Sequence, residues 1–207
     1  MSAIITKDKI VELIDSGELV LRPLLDESQI TQIGIDFRLG INFLISSIGR
    51  NPLMVASLNT DLGKPKEFKN FFQETRRQLG ETIVLYPGQT VLATTLEYIK
   101  IPNNLLLSLY MRSSYSRLGL TISTIAQPGY CGCLSMELTN NNHSPINLTV
   151  GARIVQGIFS VVDKEVNYFT SARKYSCAVR PQVTTLQSDE DLIVLNAMWK
   201  DINNITE

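Results

Sequence analysis

Between Met111 and Leu120 the chain reads MRSSYSRLGL, which places Arg112, Ser113, Ser114, Ser116 and Arg117 within six residues. Two guanidinium groups and three hydroxyls concentrate positive charge and hydrogen-bond donors, which makes a poor core and a good anion site. A second stretch, CLSMELT at 133–139, alternates Leu134, Met136 and Leu138 with Ser135, Glu137 and Thr139. In a strand the apolar set faces the core and Glu137 stands on the opposite face. Taken singly, Glu137 reads as a solvated strand carboxylate and RSSYSR as a polar strand end with solvated arginines. Taken together, they are charged groups set in runs of otherwise buried patterning. An Arg and a Glu meeting across a sheet there form an ion pair that is costly to bury without a further purpose.

Other catalytic sets are mostly missing. His143 is the only histidine and sits in the turn NNNHSP, where a solvated loop residue is expected and a Ser-His-Asp triad is not. Cys131 and Cys133 are one residue apart on an alternating strand and Cys177 is remote in sequence, so zinc ligation is not expected. The zinc deaminase signature, a Walker-type loop and G-x-G-x-x-G are all absent. Phosphate binding therefore has to use another device.

The elements that position these groups follow from periodicity. TKDKIVELIDSGEL predicts a short amphipathic helix with Thr6 as N-cap, Ile10, Val11, Leu13 and Ile14 on one face, and Gly17 as the stop. From there the period becomes two, in short runs rich in Val, Ile, Leu and Thr. Pro87-Gly88, Pro102-Asn103-Asn104, Pro128-Gly129, Asn140-Asn141-Asn142 and Val150-Gly151 separate them. This spacing predicts a sandwich, jelly roll or barrel. YPGQTVLATT and TVGARIVQGIF both run from a glycine turn into a strand, as similar hairpins of a double-sheet fold do. LGKPKEFKNFFQETRRQLGE breaks the pattern and reads as an excursion, a candidate helix on the sheet. DLIVLNAMWKDI in the tail reads as a last helix or strand.

The 207 residues suit one domain, and 19 basic against 20 acidic residues leave a net charge of -1. That balance argues against coating a nucleic-acid polymer while permitting one small anion in a local basic cluster. No apolar run reaches membrane-spanning length, the N-terminus lacks a signal-peptide core, and three cysteines give no disulfide framework, so a cytoplasmic protein is expected.

Five segments, in order, carry a resemblance: IGIDFRLG (33–40), YPGQTVLATTLEYIKIP (86–102), RSSYSRLGL (112–120), QPGYCGCLSMELTN (127–140) and TVGARIVQGIF (149–159). With them the chain resembles the dCTP deaminase branch of the dUTPase-like superfamily, from about the first helix to residue 160. The resemblance implies a mainly β chain. Its fold would be a distorted jelly-roll or dUTPase-like barrel with a short N-terminal helix and small helical excursions. Residues 1–207 would form a single domain, with about 165–207 as a C-terminal lid and tail. It implies a homotrimer with sites at subunit interfaces, and a deoxycytidine or deoxyuridine nucleotide as partner. Magnesium would be carried by the nucleotide's phosphates without protein ligands.

The resemblance also assigns roles. Arg112, Ser113 and Ser114 cradle phosphates. Glu137 is the general base for attack of water on cytosine C4, and Arg117 orients it. The Ser113 hydroxyl helps position the water or stabilise the tetrahedral species. Gln127, Ser135, Gln156, Tyr168, Lys174 and Tyr175 complete the substrate contacts, the last three from a lid that includes KYSCAVRPQVTT. Three departures accompany this. Gln127 stands where the family carries an Asp. TISTIAQPGY is a few residues short in the loop that reads the pyrimidine. Cys177 and Ala178 replace the lid's Gly and Gln. Three functions remain open: deamination of dCTP to dUTP and ammonia, a dUTP diphosphatase or bifunctional enzyme, and a trimeric nucleotide-binding protein without catalysis. Gln127 counts against diphosphatase chemistry because an amide cannot take a proton at neutral pH.

Overall fold

Helix α1 (Lys7–Asp15) forms over the stretch that carries the 3.6-residue period, with Thr6 at its N-cap and Gly17 beyond its C-terminus in the left-handed region at φ 78°. Ile10 and Leu13 of its apolar face are buried. These features belong to a computed structural model that describes residues 4–47, 54, 56, 68–167, 174–175 and 177–204. The strands that follow are β1 (Val20–Arg22), β2 (Ile30–Thr31), β3 (Gly34–Ser46), β4 (Phe72–Arg76), β5 (Thr82–Leu85), β6 (Thr90–Lys100) and β7 (Leu105–Met111). A short helix α2 (Ser113–Ser116) precedes β8 (Leu120–Thr121), β9 (Thr124–Ala126), β10 (Cys131–Asn140), β11 (Ile146–Thr149) and β12 (Arg153–Val161), and α3 (Glu190–Asn204) closes the chain.

The chain divides into two units: Met1–Ser46 with Glu74–Gln182, and Ser47–Gln73 with Val183–Glu207. The first holds the large sheet, in the order β8-β10-β6-β3-β12-β7-β9. β3 is long enough to serve two neighbours: Asp36 lies opposite Gln156 of β12, and Phe43 lies opposite Ala93 of β6. The register breaks between Leu39 and Phe43, where the strand passes from one neighbour to the other. β8 and β9 end opposite sides of this path, yet only Ile122 and Ser123 separate them in sequence. Two residues cannot span a flat sheet of seven strands about 4.8 Å apart, so the sheet curls until its ends meet. Phe37, Phe43, Phe159, Ile99 and Leu107 fill the interior with no solvent exposure. Gly34 and Gly157 let β3 and β12 approach: a Cβ on Gly34 would stand 2.1 Å from the Gly157 carbonyl oxygen.

Three expectations change here. RSSYSR is not a strand end. The backbone leaves β7 extended at Arg112 and turns at once into α2, with the Tyr115 and Ser116 amides donating to the Arg112 carbonyl. The paired glycine turns are corners and not hairpins. β5 and β11 pair with each other in a two-stranded sheet, and each chain then turns through Gly88 or Gly151 into the large sheet. The excursion at 62–81 contains a 3-10 turn (Phe68–Phe71) followed by β4; its residues 62–67 lie outside the described ones. The second unit's other described pieces are a 3-10 turn (Leu186–Ser188) and α3, so the tail is helical.

Candidate active site

β10 presents Glu137 as its periodicity demands: Leu134, Met136 and Leu138 are buried and Glu137 is exposed. Opposite it across the seam stands β9, whose Thr124 Oγ1 donates to Glu137 Oε2 at 3.0 Å. That bond joins the two ends of the curled sheet and fixes the direction of the carboxylate. Ser135 is half-buried on the same face of β10, two residues before Glu137. β9 leads directly into the turn Gln127-Pro128-Gly129-Tyr130. There the Tyr130 amide donates to the Gln127 carbonyl at 3.0 Å, and Gly129 sits at φ 79°, where proline followed by glycine is expected. The Gln127 side chain is exposed at this corner.

α2 presents Ser113, Ser114 and Arg117 on the surface, while Tyr115 packs on the core and pins the helical turn. Arg112 is held inward. Its Nε lies 3.2 Å from Asp36 Oδ2, and its Nη1 donates to the Arg153 carbonyl at 3.0 Å. Arg153 Nη1 in turn donates to Ser28 Oγ at 2.9 Å. Burial raises the Asp36 carboxyl above its ordinary range, against the pull of Arg112 and Arg153. Gln156 sits between Asp36 and Tyr110 in the ladder and gives its amide to Thr31 Oγ1 at 3.1 Å.

Within one chain, among the described residues, Arg117 makes no ion pair with Glu137, and Arg112 is paired with Asp36. Lys174 and Tyr175 lie in a surface turn just ahead of Cys177. Tyr168 lies outside the described residues. His143 is exposed in its turn.

Sequence reasoning missed four residues here. Asp36 anchors the arginine, and its signal was an acid inside the buried-pattern run IGIDFRLG. Thr124 steers Glu137; no local pattern marks it, because its partner lies 13 positions away across the seam. Glu97 and Gln29 are fully buried and satisfy each other beneath the sheet. Gln29 Nε2 and the Arg38 amide each donate to a Glu97 oxygen at 2.9 Å, and the Arg38 side chain reaches the Gly151 carbonyl. Burial raises the Glu97 carboxyl, and these donors oppose the rise. This network locks β3 to β6.

The curled sheet thus carries an exposed, steered carboxylate on β10, and the Arg-Ser-Ser turn lies on the surface of the same unit. The sequence profile of the "DCD: dCTP deaminase-like" family matches residues 4–162, and the chain belongs to that family. It is 30% identical over 197 residues to the "dCTP deaminase, dUMP-forming" of Methanobrevibacter smithii, covering 92% of this chain and 98% of the relative. It is 32% identical over 195 residues to the dCTP deaminase of Halorubrum lacusprofundi, covering 91% of this chain and 93% of the relative. The crystal structure of 2'-deoxycytidine 5'-triphosphate deaminase from Agrobacterium tumefaciens shares the fold, with a TM-score of 0.59 at 22% identity. That match covers 81% of this chain, which spans 50% of the Agrobacterium chain.

Proposed function

We propose that this protein is a hydrolytic deaminase of dCTP. One observation carries the reading: the Glu137 carboxylate, exposed on β10 and aimed by Thr124 at the seam of the sheet. The Thr124 hydroxyl engages one carboxylate oxygen and leaves the other to take a proton. In this reading Glu137 removes a proton from water as the oxygen attacks C4 of cytosine. It then returns protons so that the amino group leaves as ammonia and the ring becomes uracil. The relatives' names support the substrate, since they are dCTP deaminases.

Arg112, Ser113 and Ser114 take the phosphates, with Arg112 anchored by Asp36 and by the Arg153 carbonyl. Arg117 and the Ser113 hydroxyl serve the water and the tetrahedral centre. Arg117 reaches the Glu137 of a neighbouring protomer in a homotrimer. Gln127, Ser135 and Gln156 line the sugar and base. Lys174, Tyr175 and Tyr168 act from a C-terminal lid, and residues 1–207 work as one functional domain in the cytoplasm. Among the described residues no three His, Cys, Asp or Glu side chains cluster as a metal cage. We assign magnesium to the nucleotide's phosphate oxygens, where it offsets their charge.

A second reading, deamination coupled to loss of diphosphate, is favoured by the dUMP-forming relatives and opposed by Gln127. Incubation of the purified chain with dCTP, dUTP and magnesium, followed by separation of the products, tests both. The first reading expects ammonia and dUTP in equal amounts with dUTP left intact; ammonia with dUMP and diphosphate selects the second. Absence of ammonia from dCTP overturns both.

A further inference from the structure

Cys131 and Cys177 lie 46 positions apart in sequence, yet their Sγ atoms are 3.1 Å apart. The backbone brings them there. The Cys177 amide donates to the Cys131 carbonyl at 2.9 Å, and the Cys133 amide donates to the Ala178 carbonyl at 2.8 Å. Residues 177–178 thus run beside the first residues of β10. The approach is so close that a Cβ on Gly132 would stand 2.8 Å from the Ala178 carbonyl oxygen. Ala178 is buried by the contact, and Cys177 adopts a left-handed φ of 57°. Such a conformation is strained for a non-glycine residue and persists only where its surroundings fix it. Both thiols are free; Cys177 is exposed and Cys131 half-buried, so small reagents reach them. Cys133 is different: it is buried, and burial pushes its thiol up to about 11, which keeps it protonated and inert.

We propose that Cys131 and Cys177 are a thiol modification site, a reversible clasp that closes as a disulfide when a low-molecular-weight disulfide is present. With a disulfide RSSR, one cysteine thiolate attacks a sulfur, expels RS⁻ and becomes a mixed disulfide. The second thiolate attacks the protein sulfur of that bond and expels the other RS⁻. The two protein thiols lose two protons and two electrons, RSSR gains them, and two RSH leave. The sulfurs have to close by roughly 1 Å to reach bonding distance, a side-chain adjustment on a backbone already in register. Excess thiol reverses the exchange, as expected of an accessible bridge. The clasp fastens the segment that follows Lys174 and Tyr175 to the strand that carries Glu137. The effect of that on catalysis rests on the function proposed above; the clasp itself does not.

The test uses the full reduced chain exposed to oxidised glutathione, then quenched with iodoacetamide in denaturant so that every remaining thiol is labelled, and read by intact mass and peptide mapping. Alkylatable thiols are expected to fall from the three of the sequence to one, with Cys131 linked to Cys177 and full recovery in dithiothreitol. C133S still bridges; C131S and C177S do not. Hydrogen exchange at the Cys133 and Cys177 amides slows by about tenfold on bridging. A chain that keeps all three thiols, that holds a stable glutathione adduct, or that bridges through Cys133 overturns the proposal. The readout is mass, so failure here is distinct from failure of the deaminase reading.

Discussion

Thr124 gives its one hydroxyl proton to Glu137, and that bond is the local determinant of where the carboxylate points. Thr124→Val keeps the β-branched shape and removes the donor. A hydrogen bond to a charged group contributes about 1.5–3 kcal/mol. The variant is therefore expected to lose roughly tenfold or more in kcat with KM little changed, in steady-state ammonia release from dCTP. A rise in KM alone would mean that Thr124 acts in binding. Glu137 itself was legible from alternation along CLSMELT, because burial on a two-residue period is a local property. Thr124 was not, since its role exists only once the sheet has curled. Arg112 lay between: its type announced an anion site, while its inward anchor on Asp36 required the pairing of β3 with β12.

At the scale of elements, the buried Glu97 links β3 and β6 through Gln29 and Arg38. Burial raises its folded-state pKa above the ordinary value of 4.5. The folded chain then holds a proton that the unfolded chain has released. Stability is therefore lost as pH rises from about the ordinary carboxyl value through the raised one, and levels off above it. Glu97→Gln removes that proton equilibrium. The melting temperature of the wild type is expected to fall relative to the variant across this window, with a shared residual slope from Asp36, which burial raises in the same sense. Parallel melting curves would show that Glu97 has no raised pKa. The strands and α1 were readable because their periods are strong and their turns carry Pro and Gly. The turn at RSSYSR was misread as strand because polar residues after an apolar run look alike in either state. α2 is a single turn fixed by Tyr115 packing and by bonds to Arg112. The glycine corners were mistaken for hairpins because a turn residue reports the bend and not the strand's partner.

At the scale of the molecule, Arg117 and Glu137 form no ion pair among the described residues of one chain, and the proposed trimer pairs them across an interface. Mixed assembly tests this. Arg117→Ala and Glu137→Gln chains are each expected to be inactive alone. Denatured together and refolded in equal amounts, they are expected to regain a substantial fraction of wild-type activity, since some interfaces then pair an intact Arg117 with an intact Glu137. Activity that stays absent in the mixture while oligomers form would place both groups in one chain's site. The class of fold was legible because the segments are spread in order along the chain; the seam and the corners are long-range and left no local trace.

The central claim is that Glu137 is the proton-transferring group for a cytosine nucleotide held by the Arg112–Ser114 turn. Ammonia release and dCTP binding, measured on the same preparations of wild type and Glu137→Gln, address it most directly. The variant is expected to lose deamination by about a hundredfold or more, the contribution of a positioned base, while its affinity for dCTP stays within a few-fold. Deamination at the wild-type rate by Glu137→Gln would contradict the account.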